Sequence, residues 1–168
     1  LAALGCDGGP VDEPASEESV LAPLTQLFFV DAEHDPLVLH RPEEIDCNTL
    51  VGWTMEEGLL EVNTAECNYL SLSEPAAVSA PAGAWVKTRI SYFDLTAPEP
   101  TEAHLALLVE GRILWEATIA VPSAADILDV EAQLTEDVAK GDSIGMHLHN
   151  HGQNSWNIEP LRVNSAAK

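Results

Sequence analysis

From Leu24 onward, apolar residues recur at alternate positions in short runs, and turn-forming residues close each run. Such alternation marks strands half buried on a sheet, because successive side chains point to opposite faces. The pattern predicts strands over 26–30, 46–55, 59–63, 68–72, 85–93, 104–109, 112–121, 126–134, 143–150 and 158–163. The clearest hairpin is 104–109 with 112–121, joined by the two-residue turn Glu110-Gly111. Simple alternation puts Ala106 and Leu108 on one face with Ile113, Trp115, Ala117 and Ile119, and it buries His104 on the Trp115 side. Leu105, Leu107 and Leu114 make the other face apolar too, so this hairpin should be central and covered on both sides. The 126–134 segment reads as a strand, since Ile127, Val130 and Ala132 fit helical spacing poorly and Lys140-Gly141-Asp142 follows as a turn. The expectation is all-β: one jelly-roll-like antiparallel β-sandwich over 24–164, with no internal repeat and no second domain.

Composition supports a single folded unit. A chain of 168 residues, 46% apolar, can build its own core. No apolar run approaches the roughly 20 residues that span a bilayer as a helix. Asp and Glu number 28 against 7 Lys and Arg, a formal charge of −21. That charge repels phosphate backbones and anionic headgroups, which excludes nucleic acid and direct electrostatic membrane binding. It favours solubility and the attraction of cations.

Leu1-Ala2-Ala3-Leu4-Gly5-Cys6 resembles the end of a bacterial lipoprotein signal peptide, where an apolar run meets a small residue and then a cysteine. The resemblance implies that 1–6 is the remnant of a signal whose start lies upstream, with Cys6 lipidated at the mature terminus. Residues 7–23, small, acidic and proline-rich, read as a disordered linker. The protein is then expected outside the cytoplasm, in the bacterial cell envelope, touching membrane only through the anchor. In that oxidising setting Cys47 and Cys67 should pair as a disulfide, their spacing matching no zinc-ligand motif.

The segment Met146-His147-Leu148-His149-Asn150-His151-Gly152 holds half of the six histidines. On a strand, Ile144, Met146 and Leu148 point inward while His147, His149 and His151 line the opposite face. Neighbouring imidazoles there are about 7 Å apart, so two can converge on one copper or zinc ion. His104, His34, His40 or Glu159 could complete the set, or the histidines could simply be exposed on a half-buried strand. Gly141, five residues and then His147-x-His149 resembles the opening of the first cupin motif. Gln153 or Asn154 replaces the expected glutamate and no second motif fits, so cupin chemistry is not implied.

Gly141-Asp142-Ser143-Ile144, followed by Asn150-His151-Gly152 and Trp156, resembles the penultimate strand and loop of galactose-binding-like jelly rolls. In the amide-rich stretch 152–157, Trp156 could stack on a sugar while Gln153 and Asn154 bond its hydroxyls. Glu43-Glu44 and Glu56-Glu57 fall in turns, solvated or holding a structural calcium ion. No nucleophile elbow, phosphate loop, dinucleotide fingerprint or His-Glu-x-x-His is present, so enzyme status is not supported. Three readings remain: an exported, lipid-anchored protein binding a transition metal through the histidine strand, a surface adhesion or carbohydrate-binding module using the Trp156 loop, or a purely structural envelope protein with no such site.

Overall fold

The computed structural model describes residues 18–47 and 50–164. Cys6 and the linker as far as residue 17 lie outside the described residues. The strands are β1 (Glu18–Ala22), β2 (Phe28–Phe29), β3 (Trp53–Glu56), β4 (Leu59–Asn63), β5 (Tyr69–Pro75) and β6 (Trp85–Tyr92). They continue as β7 (Thr101–Val109), β8 (Arg112–Val121), β9 (Asp126–Gln133), β10 (Ser143–Asn150), β11 (Ser155–Ile158) and β12 (Leu161–Asn164). Among the described residues they form two antiparallel sheets. One is seven-stranded, ordered β1-β12-β6-β11-β4-β3 with β9 on the other edge of β6; the second is five-stranded, ordered β2-β5-β10-β7-β8.

The core lies between these sheets. Leu60, Val62, Val86, Ile90 and Ile158 of the larger sheet are sealed against Leu70, Leu72, Leu105, Leu107, Ile144, Met146 and Leu148 of the smaller. The inward face expected of β10 is therefore observed.

Three local features depart from simple alternation. The β7–β8 register shifts between Leu107 and Leu108: Leu108 faces Ile113 but Leu107 faces Trp115, leaving Leu114 as the extra residue of a bulge. The bulge moves Trp115 to the Leu107 side. His104, paired with Thr118, consequently lies on the outer face rather than beside Trp115. At the C-terminal end, the single strand expected over 158–163 is two, broken at Glu159-Pro160, where proline cannot donate to a ladder. Both pieces pair with β6. Folded structure also starts earlier than Leu24: Val20 pairs with Arg162 on β12, and Leu21 and Ala22 are fully buried. The acidic run before them hides this short apolar triplet in the sequence.

Two ties fix the chain around the sandwich. The expected disulfide joins Cys47 to Cys67 across 20 residues, a closure that stabilises by roughly 3 kcal/mol in the chain-entropy model. Beside it, Asn68 N–H donates to Asp46 O and the Asn68 amide to Glu44 O. On β5, the buried Glu74 carboxylate accepts N–H bonds from Leu24 at 2.6 Å, Thr25 at 3.2 Å and Gln26 at 3.4 Å. Leu24 adopts φ 61° to present its N–H there.

Glu74→Ala orphans those donors in a buried corner and should cost about 3 kcal/mol. Urea denaturation checks this; a midpoint within error of the parent's would show that water replaces the carboxylate at no cost.

Candidate functional site

The outer face of the five-stranded sheet carries a covering strap, residues 31–46. Val30 N–H donates to Ser71 O at its start, and Leu37 packs in a small apolar cluster with Ala106 and Leu108. Asp35 is the principal polar tie. Its side chain is fully buried and accepts from Tyr69 Oη at 2.7 Å, Arg41 Nη1 at 2.8 Å, Leu37 N–H at 3.0 Å and Ser71 Oγ at 3.4 Å. Tyr69 Oη also lies 3.2 Å from Leu37 O. Burial and then the Asp35 carboxylate hold the Tyr69 phenol well above its ordinary pKa.

This docking lays His40, from a single 3-10 turn (Val38–His40), over His104, their rings parallel with centroids 4.1 Å apart. His147 lies beneath, 5.2 Å from His104, 6.1 Å from His40 and 4.9 Å from Tyr69. His149 follows, 5.5 Å from Tyr69, and His151 is 4.4 Å from His149. Five of the six histidines thus gather on one face, His34 alone standing apart in an exposed pair with Asp31.

The cluster is chemically unsatisfied. His147 is only 2% exposed, and neither of its ring nitrogens has a hydrogen-bond partner. His104 Nδ1 and His149 Nε2 are likewise buried and unpartnered. His104 Nε2 lies 3.3 Å from Glu116 Oε2. Burial, followed by the nearby imidazoles led by His104, pushes His147 down to a pKa of about 3. Burial and His151 bring His149 to about 4. At neutral pH both rings are uncharged, each with one N–H donor and one lone-pair acceptor. Beside His40 of the strap, a groove of about 600 Å³ opens between His40, His104, His149 and His151, with Thr101, Thr118 and Glu102 on its walls.

The sequence-chosen residues are therefore only partly assembled here. His104, His147, His149 and His151 come together, joined by His40. Glu159 instead bonds through its backbone to Arg89 and Thr88, outside the cluster. Among the described residues, no three His, Cys, Asp or Glu side chains are arranged to hold a metal ion. The expected Trp156 platform is corrected. Ser155 already begins β11, so alternation turns Trp156 inward, fully buried against Tyr92 at 4.6 Å. Asn154 is buried too; its Oδ1 accepts from Thr96 N–H at 2.6 Å and its N–H donates to Thr64 Oγ1. Gly152 allows that loop to close, since a Cβ there would meet Thr96 O at 2.2 Å. Gln153 is exposed. Asp35 and Tyr69 carried no local signal, because their partnership spans 34 residues and exists only once the strap docks.

No protein-family model matches the chain, and no curated protein matches it in sequence. Solved structures match in shape. CBM27-1 of Caldicellulosiruptor saccharolyticus, solved with mannohexaose, aligns with TM-score 0.52 at 6% identity over 89% of this chain and 98% of that one. The C-terminal CBM6 of the marine laminarinase LamC from Zobellia galactanivorans gives 0.46 at 13% identity, over 89% of this chain and all of that one. The K3 adhesin domain of Lys-gingipain from Porphyromonas gingivalis gives 0.45 at 12%, over 64% and 74%. The chain is an all-β jelly-roll sandwich with the fold of CBM27-1.

The buried imidazoles predict acid lability. His147 has a folded pKa below its unfolded value near 6.5, so below about pH 6.5 the unfolded chain binds the extra proton. Stability is fully present above that pH and falls as pH drops toward 3. Between pH 7 and pH 4 the loss from His147 should be roughly 3 kcal/mol. His147→Leu should flatten that part of the profile in denaturation at stepped pH; an unchanged slope would rule the residue out as its source.

Proposed function

We propose that this chain is the folded part of an exported binding module that takes a carbohydrate in the histidine groove. The observation that carries it is the open groove between the imidazoles of His40, His104, His149 and His151, beside which the buried ring nitrogens of His147 remain unpartnered. The His149 imidazole, neutral at pH 7.5, both donates and accepts, as hydroxyl groups do, and the Thr101 and Thr118 hydroxyls extend the match. The shared fold of CBM27-1, solved with mannohexaose, supports the ligand class. Export is supported by the Cys47–Cys67 disulfide, and the lipobox-like start adds anchoring through Cys6 on an acidic tether. The earlier site, the Trp156 loop, is replaced by the groove because Trp156 is sealed in the core.

Copper or zinc is a second occupant we propose for the same imidazoles, favoured by those orphan nitrogens. It is the weaker reading, since no three ligands are arranged around one point among the described residues.

Calorimetric titration with mannohexaose and cellohexaose at pH 7.5 tests the main reading. Binding should weaken about tenfold or more in His149→Ala and His104→Ala, each of which removes a hydrogen-bonding ring from the groove. Equal affinity in parent and variants, or no heat with either sugar, overturns it. Retention of copper or zinc after dialysis, lost in His149→Ala, would favour the second occupant.

A further inference from the structure

The opposite sheet carries a second feature that the histidine groove leaves unexplained. Ser91 on β6 lies directly between Asn157 on β11 and Ile127 on β9, so three adjacent strands present these side chains in one outward row. Phe93, two residues beyond Ser91, stands 69% exposed at the end of the row, and Ile127 is 58% exposed. Asp126 borders it, one carboxylate oxygen accepting from Ile127 N–H at 2.8 Å. Together with Tyr92 and Ala125 they line a shallow cavity of about 510 Å³.

We propose that this row is a second carbohydrate contact, in which a neutral sugar lays its apolar face on Phe93 and Ile127. Its hydroxyls bond the Asn157 amide, the Ser91 hydroxyl and the Asp126 carboxylate. Three features select that occupant. The two exposed apolar side chains are too little area for a stable protein partner, which buries about 800 Å² on each side. No Lys or Arg lines the cavity and Asp126 repels anions, which disfavours an anionic glycan. An aromatic face rimmed by an amide, a hydroxyl and a carboxylate matches the amphipathic surface of a pyranose, apolar on one side and hydroxylated around its edge. Across three strands the row spans about 10 Å, roughly the reach of a disaccharide. The second contact shares the ligand class proposed for the groove, but it lies on the other sheet and stands on separate residues. Two such faces would let one module bridge neighbouring glycan chains, with the gain in avidity that linked sites give.

Backbone amide NMR during titration with mannohexaose and cellohexaose reads both faces at once. The amides of Ser91, Phe93, Ile127 and Asn157 should move with sugar. Phe93→Ala should abolish those shifts while leaving any at His104, His149 and His151, and Phe93→Trp should restore them. Since Phe93 is exposed, the variant's melting temperature should match the parent's. Shifts confined to the histidine groove overturn this inference and keep the first reading. Shifts confined to the Phe93 row do the reverse. A silent spectrum on both faces removes both, and shifts in the row that survive Phe93→Ala remove the second.

Discussion

The arrangement of the site depends on one buried carboxylate. Asp35 has no exposed side-chain surface, and a charge in that position is tolerable only while its hydrogen bonds and its Arg41 partner hold. Those partners come from the strap itself, through Arg41 and the Leu37 N–H, and from the sheet, through Tyr69 and Ser71. Satisfying Asp35 therefore fixes the strap against β5. His40 then has one place to go, over His104, and His147 is covered as a result. The depressed pKa of His147 follows from that covering more than from any feature of its own strand.

Most strands were legible in the sequence because alternation is a local property. The spans 59–63, 112–121 and 143–150 coincide with β4, β8 and β10. Where the reading slipped, a non-local or single-residue event intervened. The Leu114 bulge reverses the facing of everything N-terminal to it on β7 relative to β8, and no composition signal marks it. That one residue decides whether Trp115 stands beside His104 or on the opposite face. Trp156 was misplaced by an error of loop length: beginning the strand at Ile158 leaves it in a polar loop, whereas beginning it at Ser155 sends it into the core. The β1 strand escaped because its pairing partner, β12, and the core that buries Leu21 and Ala22 lie far away in sequence.

The histidines were singled out correctly as neighbours on one face, yet their chemical state was not available from spacing. Alternation says which side a ring is on; it cannot say what lies over it. The strap lies over part of that row, where His147 is buried and His104 and His149 are half-buried, and burial changes what imidazole offers. Solvated histidine would titrate near neutrality, whereas His147 and His149 stay uncharged well into acid.

Charge pairing completes the argument about ligand class. Arg41, Lys87, Arg89, Arg112 and Arg162 each lie against a carboxylate. On a chain with a net charge of −21, those cations are already engaged by the protein's own acids. What both outward faces offer to a ligand is instead imidazole, hydroxyl, amide and aromatic ring, with a few carboxylates as acceptors. Such groups give no Coulombic hold on an anion, and the acidic surface around them opposes one. Uncharged molecules rich in hydroxyls are the partners that gain hydrogen bonds here without that opposition, so the acidity of the surface and the neutrality of His147 and His149 act in the same direction.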